Sequence, residues 1–375
     1  MIRRACLWGV VGALMLSSAV APAAAIDNLD WIRVSSDRRG FENSRSHVAF
    51  HPWGFNYDRD RSGRLLEDYW LTEWNTVVDD FREMKALGAN TVRIHLQLGR
   101  FMRSERKTRR GSLRQLRRLL QVAEATGLYL DVTGLGCYKK PDVPEWYNQL
   151  GEARRWAVQA RFWAAVAETC RASPAVFCYD LMNEPVVTED KNGRDWTPGA
   201  FGDRYFVQRL TLDFAGRTPQ QIARAWVDRM VGAIRRQDRR HLVTVGVIPW
   251  ALTFPGAKPL FYAKEVGAKL DFVSVHFYPK RGEVNAALRA LDVYAVGKPI
   301  VIEEMFPLNC SVTELGRFID GSREVATGWL GFYWGETIEE YKQHPGSAAD
   351  GLTRDWLEYF RSQARAKAGP EPEKP

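Results

Sequence analysis

The chain has 375 residues, a formal net charge of +8, 45% hydrophobic residues and five cysteines. That length holds either two ordinary domains or one α/β barrel of ~250 residues with insertions, and both can bury a sizeable core. Beyond the first 25 residues no apolar run reaches the ~20 residues that a membrane-spanning helix needs, and no Cys-x-x-Cys or His-rich spacing suggests a zinc site.

Residues 1–25 carry Arg3 and Arg4, an apolar run from Ala5 to Val20, and then Ala23-Ala24-Ala25. This is the pattern of a cleavable signal peptide, so a secreted or periplasmic location is expected and the segment is set apart from the fold. Its removal takes the formal charge from +8 to +6. Much of the remaining excess lies between Arg100 and Arg118, where Leu113, Leu116, Leu119 and Leu120 recur at helical spacing. The run therefore reads as a helix with a solvated basic face, with no nucleic-acid partner and no stable membrane insertion expected. Without Cys6 four cysteines remain, Cys137, Cys170, Cys178 and Cys310. In an oxidising compartment they allow two disulfides of open connectivity, and small buried thiols are the alternative.

Residues 31–35 and 48–55 have strand character with a turn at 37–40 between them, which predicts a short N-terminal β-hairpin leading into a first barrel strand at 49–55. An amphipathic helix follows at 73–87, stopped by Gly88. The series continues with a strand at 90–96, a helix at 112–126, a strand at 128–132 and a helix at 153–171. Next come a strand at 175–182, a long polar connection over 187–217, and a helix opened by Thr218-Pro219 and running to Arg236. Strands at 241–247, 271–275, 299–302 and 329–333 alternate with helical segments at 259–266, 284–296 and 313–321, and a helix at 352–364 closes the chain.

Eight short, apolar, branched strands alternating with helices predict an α/β fold, a TIM (β/α)8 barrel, as a single catalytic domain over 26–366 with a disordered tail at 367–375. No Gly-x-Gly-x-x-Gly follows the first strand, which removes the main support for a dinucleotide-binding open sheet.

A barrel concentrates reactive side chains at the carboxyl ends of several strands. The second strand offers Arg93 and His95, the fourth Asn183 and Glu184, the sixth His276 and Tyr278, the seventh Glu303 and Glu304, and the eighth Trp334. Alternation puts Arg93 with His95 and His276 with Tyr278, and it separates Glu303 from Glu304. Glu304 is expected in the barrel mouth, with Glu303 turned towards the helices or a basic partner. Two carboxylates at opposite strand ends are the minimal apparatus for cleaving a glycosidic bond. Trp334 and Trp250 offer flat faces for stacking on a sugar ring.

The segments Pro52-Trp53-Gly54-Phe55-Asn56-Tyr57, Gly88-Ala89-Asn90-Thr91-Val92-Arg93, Leu181-Met182-Asn183-Glu184-Pro185, Val275-His276-Phe277-Tyr278-Pro279 and Lys298-Pro299-Ile300-Val301-Ile302-Glu303-Glu304 occur in this order. Together they resemble the cellulase-type members of glycoside hydrolase family 5, within the clan of retaining barrel glycosidases. The resemblance implies Glu184 as acid/base and Glu304 as nucleophile. It implies that Asn183 bonds the sugar 2-hydroxyl, Arg93 supports the nucleophile, Tyr278 orients it, His276 sits beside the acid/base, and Trp334 floors the subsite. No metal or organic cofactor is expected, and the partner expected is a β-linked oligo- or polysaccharide. A transglycosylase on the same scaffold and a non-catalytic carbohydrate-binding barrel remain the alternatives. The chain departs from the pattern at 132–137, where many relatives carry a His, and at Met305-Phe306 after Glu304.

Overall fold

In the computed structural model, which describes residues 29–368 apart from 191, 192, 194, 344 and 345, short apolar runs pair side by side as a ring of parallel strands. They are β1 (Trp53–Tyr57), β2 (Thr91–Gln97), β3 (Tyr129–Gly136), β4 (Val176–Asp180), β5 (Leu242–Thr244, continued by Gly246–Val247), β6 (Val273–His276), β7 (Ile300–Glu304) and β8 (Gly328–Phe332). β8 pairs with β1, so the ring is closed except at β5. There the first segment pairs with β4 and the second with β6. Tyr262 fills the break, its hydroxyl accepting from the N–H of Ser274 at 2.8 Å and donating to the Val245 carbonyl at 2.5 Å. Every strand residue of β1 to β4 is buried, as a parallel sheet covered on both sides requires. The fold is the expected TIM barrel. The expected signal peptide and residues 369–375 of the expected tail lie outside the described residues.

Amphipathic helices wrap the ring: α1 (Trp74–Ala86), α2 (Arg110–Thr126), α3 (Glu152–Cys170), α4 (Pro219–Arg235), α5 (Val284–Asp292), α6 (Val312–Ser322) and α7 (Ala348–Ala368). α4 starts where Thr218-Pro219 predicts, with the Thr218 side chain accepting from the N–H of Gln221 and the Gln221 side chain closing a capping box. In α2 the basic run presents its arginines outward while Leu116, Leu119, Leu120 and Ala123 are buried, and Gly127 ends the helix at φ +67°.

The N-terminal segment departs from expectation. Ile32–Val34 pairs not with residues 48–55 but with Phe41–Asn43, which in turn pairs with Ala49–Phe50, giving a three-stranded antiparallel sheet. The turn is where the sequence puts it, with Arg38 at φ +61°, so the residues just after it form the second strand. The first barrel strand begins only after Pro52. This small sheet plugs the amino-terminal end of the barrel: Phe41 meets Phe177 and Phe272 edge-on at 5.0 and 5.2 Å, and Ile32 and Phe50 join the same apolar cluster.

Both disulfides allowed by the sequence are absent. Cys137, Cys170, Cys178 and Cys310 are free thiols, all buried. Burial in apolar surroundings pushes Cys137 up to about 11, as for an inert core thiol.

Candidate active site

Asn56, Arg93, Asp131 and Cys178 occupy one level across β1 to β4, and His95, Thr133 and Asp180 the level nearer the mouth. Arg93 is fully buried and organises the cluster. One terminal nitrogen donates to Asn56 Oδ1 at 2.9 Å and Glu304 Oε1 at 2.5 Å. The other donates to Asp180 Oδ2 at 2.8 Å and Asn183 Oδ1 at 2.9 Å. Burial pushes the guanidinium down, and the charges of Glu303, Glu304 and Asp180 more than offset this, holding it well above its usual value. Asn56 is fixed in turn, its amide donating to the carbonyls of Glu303 and Gly331 at 2.8 Å each.

Glu304 ends β7 and receives Arg93 on one oxygen and the Tyr278 hydroxyl on the other, at 2.7 Å. Burial, then the Glu304 charge, push Tyr278 well above its usual value, so the phenol stays a donor. Glu184 follows β4 at φ +47°, a left-handed conformation that costs a non-glycine residue ~1–3 kcal/mol. Its backbone is held there by an N–H donated to the Gly246 carbonyl at 2.9 Å. Gly246 also donates its own N–H to Asp180 Oδ1 at 2.8 Å. A Cβ on Gly246 would lie 2.5 Å from Glu303 Oε2 and 2.7 Å from His276 Nε2, so only glycine lets the charged cluster close against this backbone.

His276 lies between the carboxylates. Its Nδ1 is 2.9 Å from Glu184 Oε1 and 3.5 Å from Glu304 Oε2, and its Nε2 is 3.4 Å from Glu303 Oε2. With acceptors on both nitrogens the ring carries two protons. Burial alone lowers it, but Glu304, Glu184 and Glu303 raise it to about 10. His95 is the opposite case. Nε2 faces Asn56 Oδ1 at 3.1 Å and must donate, so Nδ1 accepts from the Tyr138 hydroxyl at 2.6 Å. Burial and the Arg93 charge hold this ring neutral, well below its usual value.

Of the two orientations expected for Glu303, towards the helices or towards a basic partner, the structure has the second. It does not turn towards the helices but points into the barrel, with no exposure, 3.4 Å from Arg93 Nη2. Alternation puts it there, because Val301, two residues earlier, packs in the cluster inside the barrel while Ile300 and Ile302 pack with the helices. It is Glu304 that leaves the alternation, where Val275 pairs with Ile302 but His276 pairs with Glu304. Both oxygens of Asp131 and Oε1 of Glu303 have no donor, and the two side chains approach within 4.8 Å. A proton on Asp131 pairs two of these three atoms, one Asp131 oxygen as donor and Glu303 Oε1 as acceptor. Burial and the Glu303 charge hold Asp131 well above the carboxylate range, and its hydroxyl serves Glu303. Glu303 itself, although burial opposes it, is held below that range by Arg93, His276 and Asp131.

The cleft above these groups has a volume of about 270 Å³. Glu184, Glu304, Tyr278, His95 and Trp334 line it. Trp334 donates from Nε1 to Asp58 at 3.3 Å and lies beneath Arg59 at 4.8 Å. Asn183 is only 2% exposed, its Oδ1 taken by Arg93 and its amide donating to the Phe206 carbonyl at 3.0 Å. Trp250 is 44% exposed in the turn Trp250–Thr253 beyond β5, tilted against Phe254, and does not line the cleft. Sequence reasoning missed Asp131, Asp180, Asn56 and Gly246. For the two aspartates the signal was present, as a charge within (Asp131) or ending (Asp180) an apolar, wholly buried strand.

The sequence matches the family described as cellulase (glycosyl hydrolase family 5) over residues 54–334. A mannan endo-1,4-β-mannosidase 5 from Arabidopsis thaliana is 30% identical over 125 residues, 29% of this chain and 22% of that protein. Among solved structures, an exo-β-1,4-mannosidase from Opitutaceae bacterium strain TAV5 superposes with a TM-score of 0.63 at 18% identity, covering 89% of this chain and 62% of the other. The catalytic domain of endoglucanase Cel5A from Thermobifida fusca gives 0.57 at 15% identity, over 89% and 96%. At such identities these likenesses are of fold.

Proposed function

Because the chain belongs to glycosyl hydrolase family 5, we propose that it is a retaining β-glycoside hydrolase in which Glu304 is the nucleophile and Glu184 the acid/base. The observation that carries the reading is the separation of the two carboxyls. Their facing oxygens, with His276 between them, lie within 4.8 Å. Retaining enzymes hold the pair ~5–5.5 Å apart, whereas inverting ones need ~6.5–9.5 Å to admit a water.

In this reaction Glu304 Oε attacks the anomeric carbon as the glycosidic C–O bond breaks, and the leaving oxygen takes the proton of Glu184. A glycosyl ester on Glu304 remains. Water then attacks the same carbon, gives its proton to Glu184 and releases the sugar with its original configuration. Arg93 and Tyr278 orient Glu304 from two sides before substrate arrives, and His276 fixes the Glu184 rotamer.

The relatives are described as mannosidases and an endoglucanase, which supports a β-1,4-linked mannan or glucan as substrate. The opening 25 residues support export, and no helix among the described residues is long and apolar enough to cross a membrane. Incubation with a panel of β-mannans and β-glucans, with products followed by NMR, tests the reading. It predicts a β-anomer formed first, and initial α-anomer would overturn it.

A further inference from the structure

The loop after Glu184 is built as a wall rather than a plain connection. Pro185–Val186 pairs in parallel with Gln208–Arg209, so the chain returns beside its own start, and residues 199–207 before that return are folded by a bridge between Phe201 and Arg204. This stretch crosses the barrel mouth. Beyond β3, the N–H of Tyr205 donates to the Tyr138 carbonyl at 3.0 Å, and the Phe206 ring meets Tyr138 edge-on at 4.9 Å. Beyond β1, the Arg204 guanidinium, 8% exposed, donates to the Gly63 carbonyl. A loop that starts at β4 is thus fastened to the loops after β3 and β1.

We propose that this loop makes the cleft a dead-ended pocket for one sugar, so that the enzyme removes terminal sugars from the non-reducing end of β-linked chains instead of cutting within them. The inference rests on the hydrolase reading and adds to it the position of attack.

Internal cleavage needs room for the chain on both sides of the scissile bond. Here Phe201, Phe206 and Val207 face Leu308 and Trp334 across a space of about 270 Å³, under the ~300–1,000 Å³ of pockets for drug-sized ligands. Phe201 and Leu308, 64% and 51% exposed, form an apolar rim. The cleft extends from the carboxylate pair towards β8, β1 and β2, where Trp334, Asp58 and His95 line it. No β5 residue lines it, so the side on which Glu184 faces β5 is left to the leaving group. On the side towards β8, β1 and β2, Asp58 is 3% exposed and is held by Arg59 at 3.0 Å and Trp334 at 3.3 Å. A fixed carboxyl there suits the hydroxyls of a chain's last sugar, and it stands where an internal cutter would pass the next one.

The test uses mannohexaose and cellohexaose labelled at the reducing end, together with 4-nitrophenyl β-mannoside and β-glucoside. The proposal expects free unlabelled monosaccharide and a labelled ladder shortened one unit at a time, with turnover of the matching aryl monoglycoside. Replacing residues 199–206 by a short Gly-Ser linker, or Arg204→Ala alone, should raise the ratio of oligosaccharide to monosaccharide products at least tenfold. Mixed-length fragments from the first time point would overturn the proposal while leaving the hydrolase standing. Labelled monosaccharide released first would overturn it by making the closed side the leaving-group side. No turnover of any of the four compounds would remove the hydrolase reading and this proposal with it.

Discussion

One ring joins Glu184 to the floor of the site: His276 Nδ1 lies 2.9 Å from Glu184 Oε1, and its Nε2 faces the buried Glu303 at 3.4 Å. Its two protons therefore serve one oxygen of Glu184 on one side and the Glu303 carboxylate on the other. The folded value of about 10 exceeds the unfolded one of about 6.5. The linked stability is fully present below about pH 6.5 and is lost as pH rises through 10. Urea unfolding of the wild type and His276→Asn should show a stability gap that narrows over this window by a few kcal/mol. A gap that does not change with pH contradicts a doubly protonated ring.

Arg93 faces three carboxylates with no access to water. Arg93→Ala leaves those charges buried and uncompensated, at a cost of ~3–5 kcal/mol in denaturant unfolding. Arg93→Lys keeps the charge but not the fork that reaches Asn56, Glu304, Asp180 and Asn183 together. It should fold, with kcat lowered about 100-fold by misplacement of Glu304. Wild-type kcat in the lysine variant would show that the fork has no part in positioning.

If Asp131 carries the proton that Glu303 accepts, an amide can replace it. Asp131→Asn retains an N–H donor and should change stability by less than about 1 kcal/mol, whereas Asp131→Ala strands a buried acceptor and should cost ~1–3 kcal/mol. Thermal unfolding of the two variants separates the cases, and equal losses would contradict a donating Asp131.

With Glu184 as the proposed acid/base, Glu184→Ala should remove proton transfer to the leaving oxygen. Turnover should fall ~10²–10⁴-fold on unactivated glycosides and much less on aryl glycosides whose leaving group needs no proton. Azide should restore rate on the aryl substrate by taking the vacated space and attacking the ester. Equal losses on both substrate types would move the acid/base elsewhere.

The barrel and the outer part of the site were legible because both depend on local pattern. Alternating strands and helices give the ring, and the residues ending β2, β4, β6, β7 and β8 give Arg93, Glu184, His276, Tyr278, Glu304 and Trp334. For Glu303 the sequence left the helices and a basic partner both open, and the choice is made by ring closure, which brings Arg93 of β2 within 3.4 Å of it. Gly246 and Asn56 act through neighbours brought together only by ring closure. The second strand of the N-terminal sheet, Phe41–Asn43, is three residues with one apolar side chain, too short for a periodicity to show. The crossing of the 199–206 loop depends on carbonyls of Tyr138 and Gly63, which no side-chain pattern reveals.

The central claim is a covalent glycosyl ester on Glu304. The direct measurement is mass spectrometry of peptides after reaction with 2-deoxy-2-fluoro-β-mannosyl and -glucosyl fluorides, whose fluorine slows both steps while the good leaving group keeps formation faster than breakdown. The structure, with Arg93 and Tyr278 aiming the two oxygens of Glu304 into the cleft, predicts one added sugar on the peptide containing Glu304 and none in Glu304→Ala. An adduct on Glu184 or Glu303, or turnover without any adduct, would contradict it.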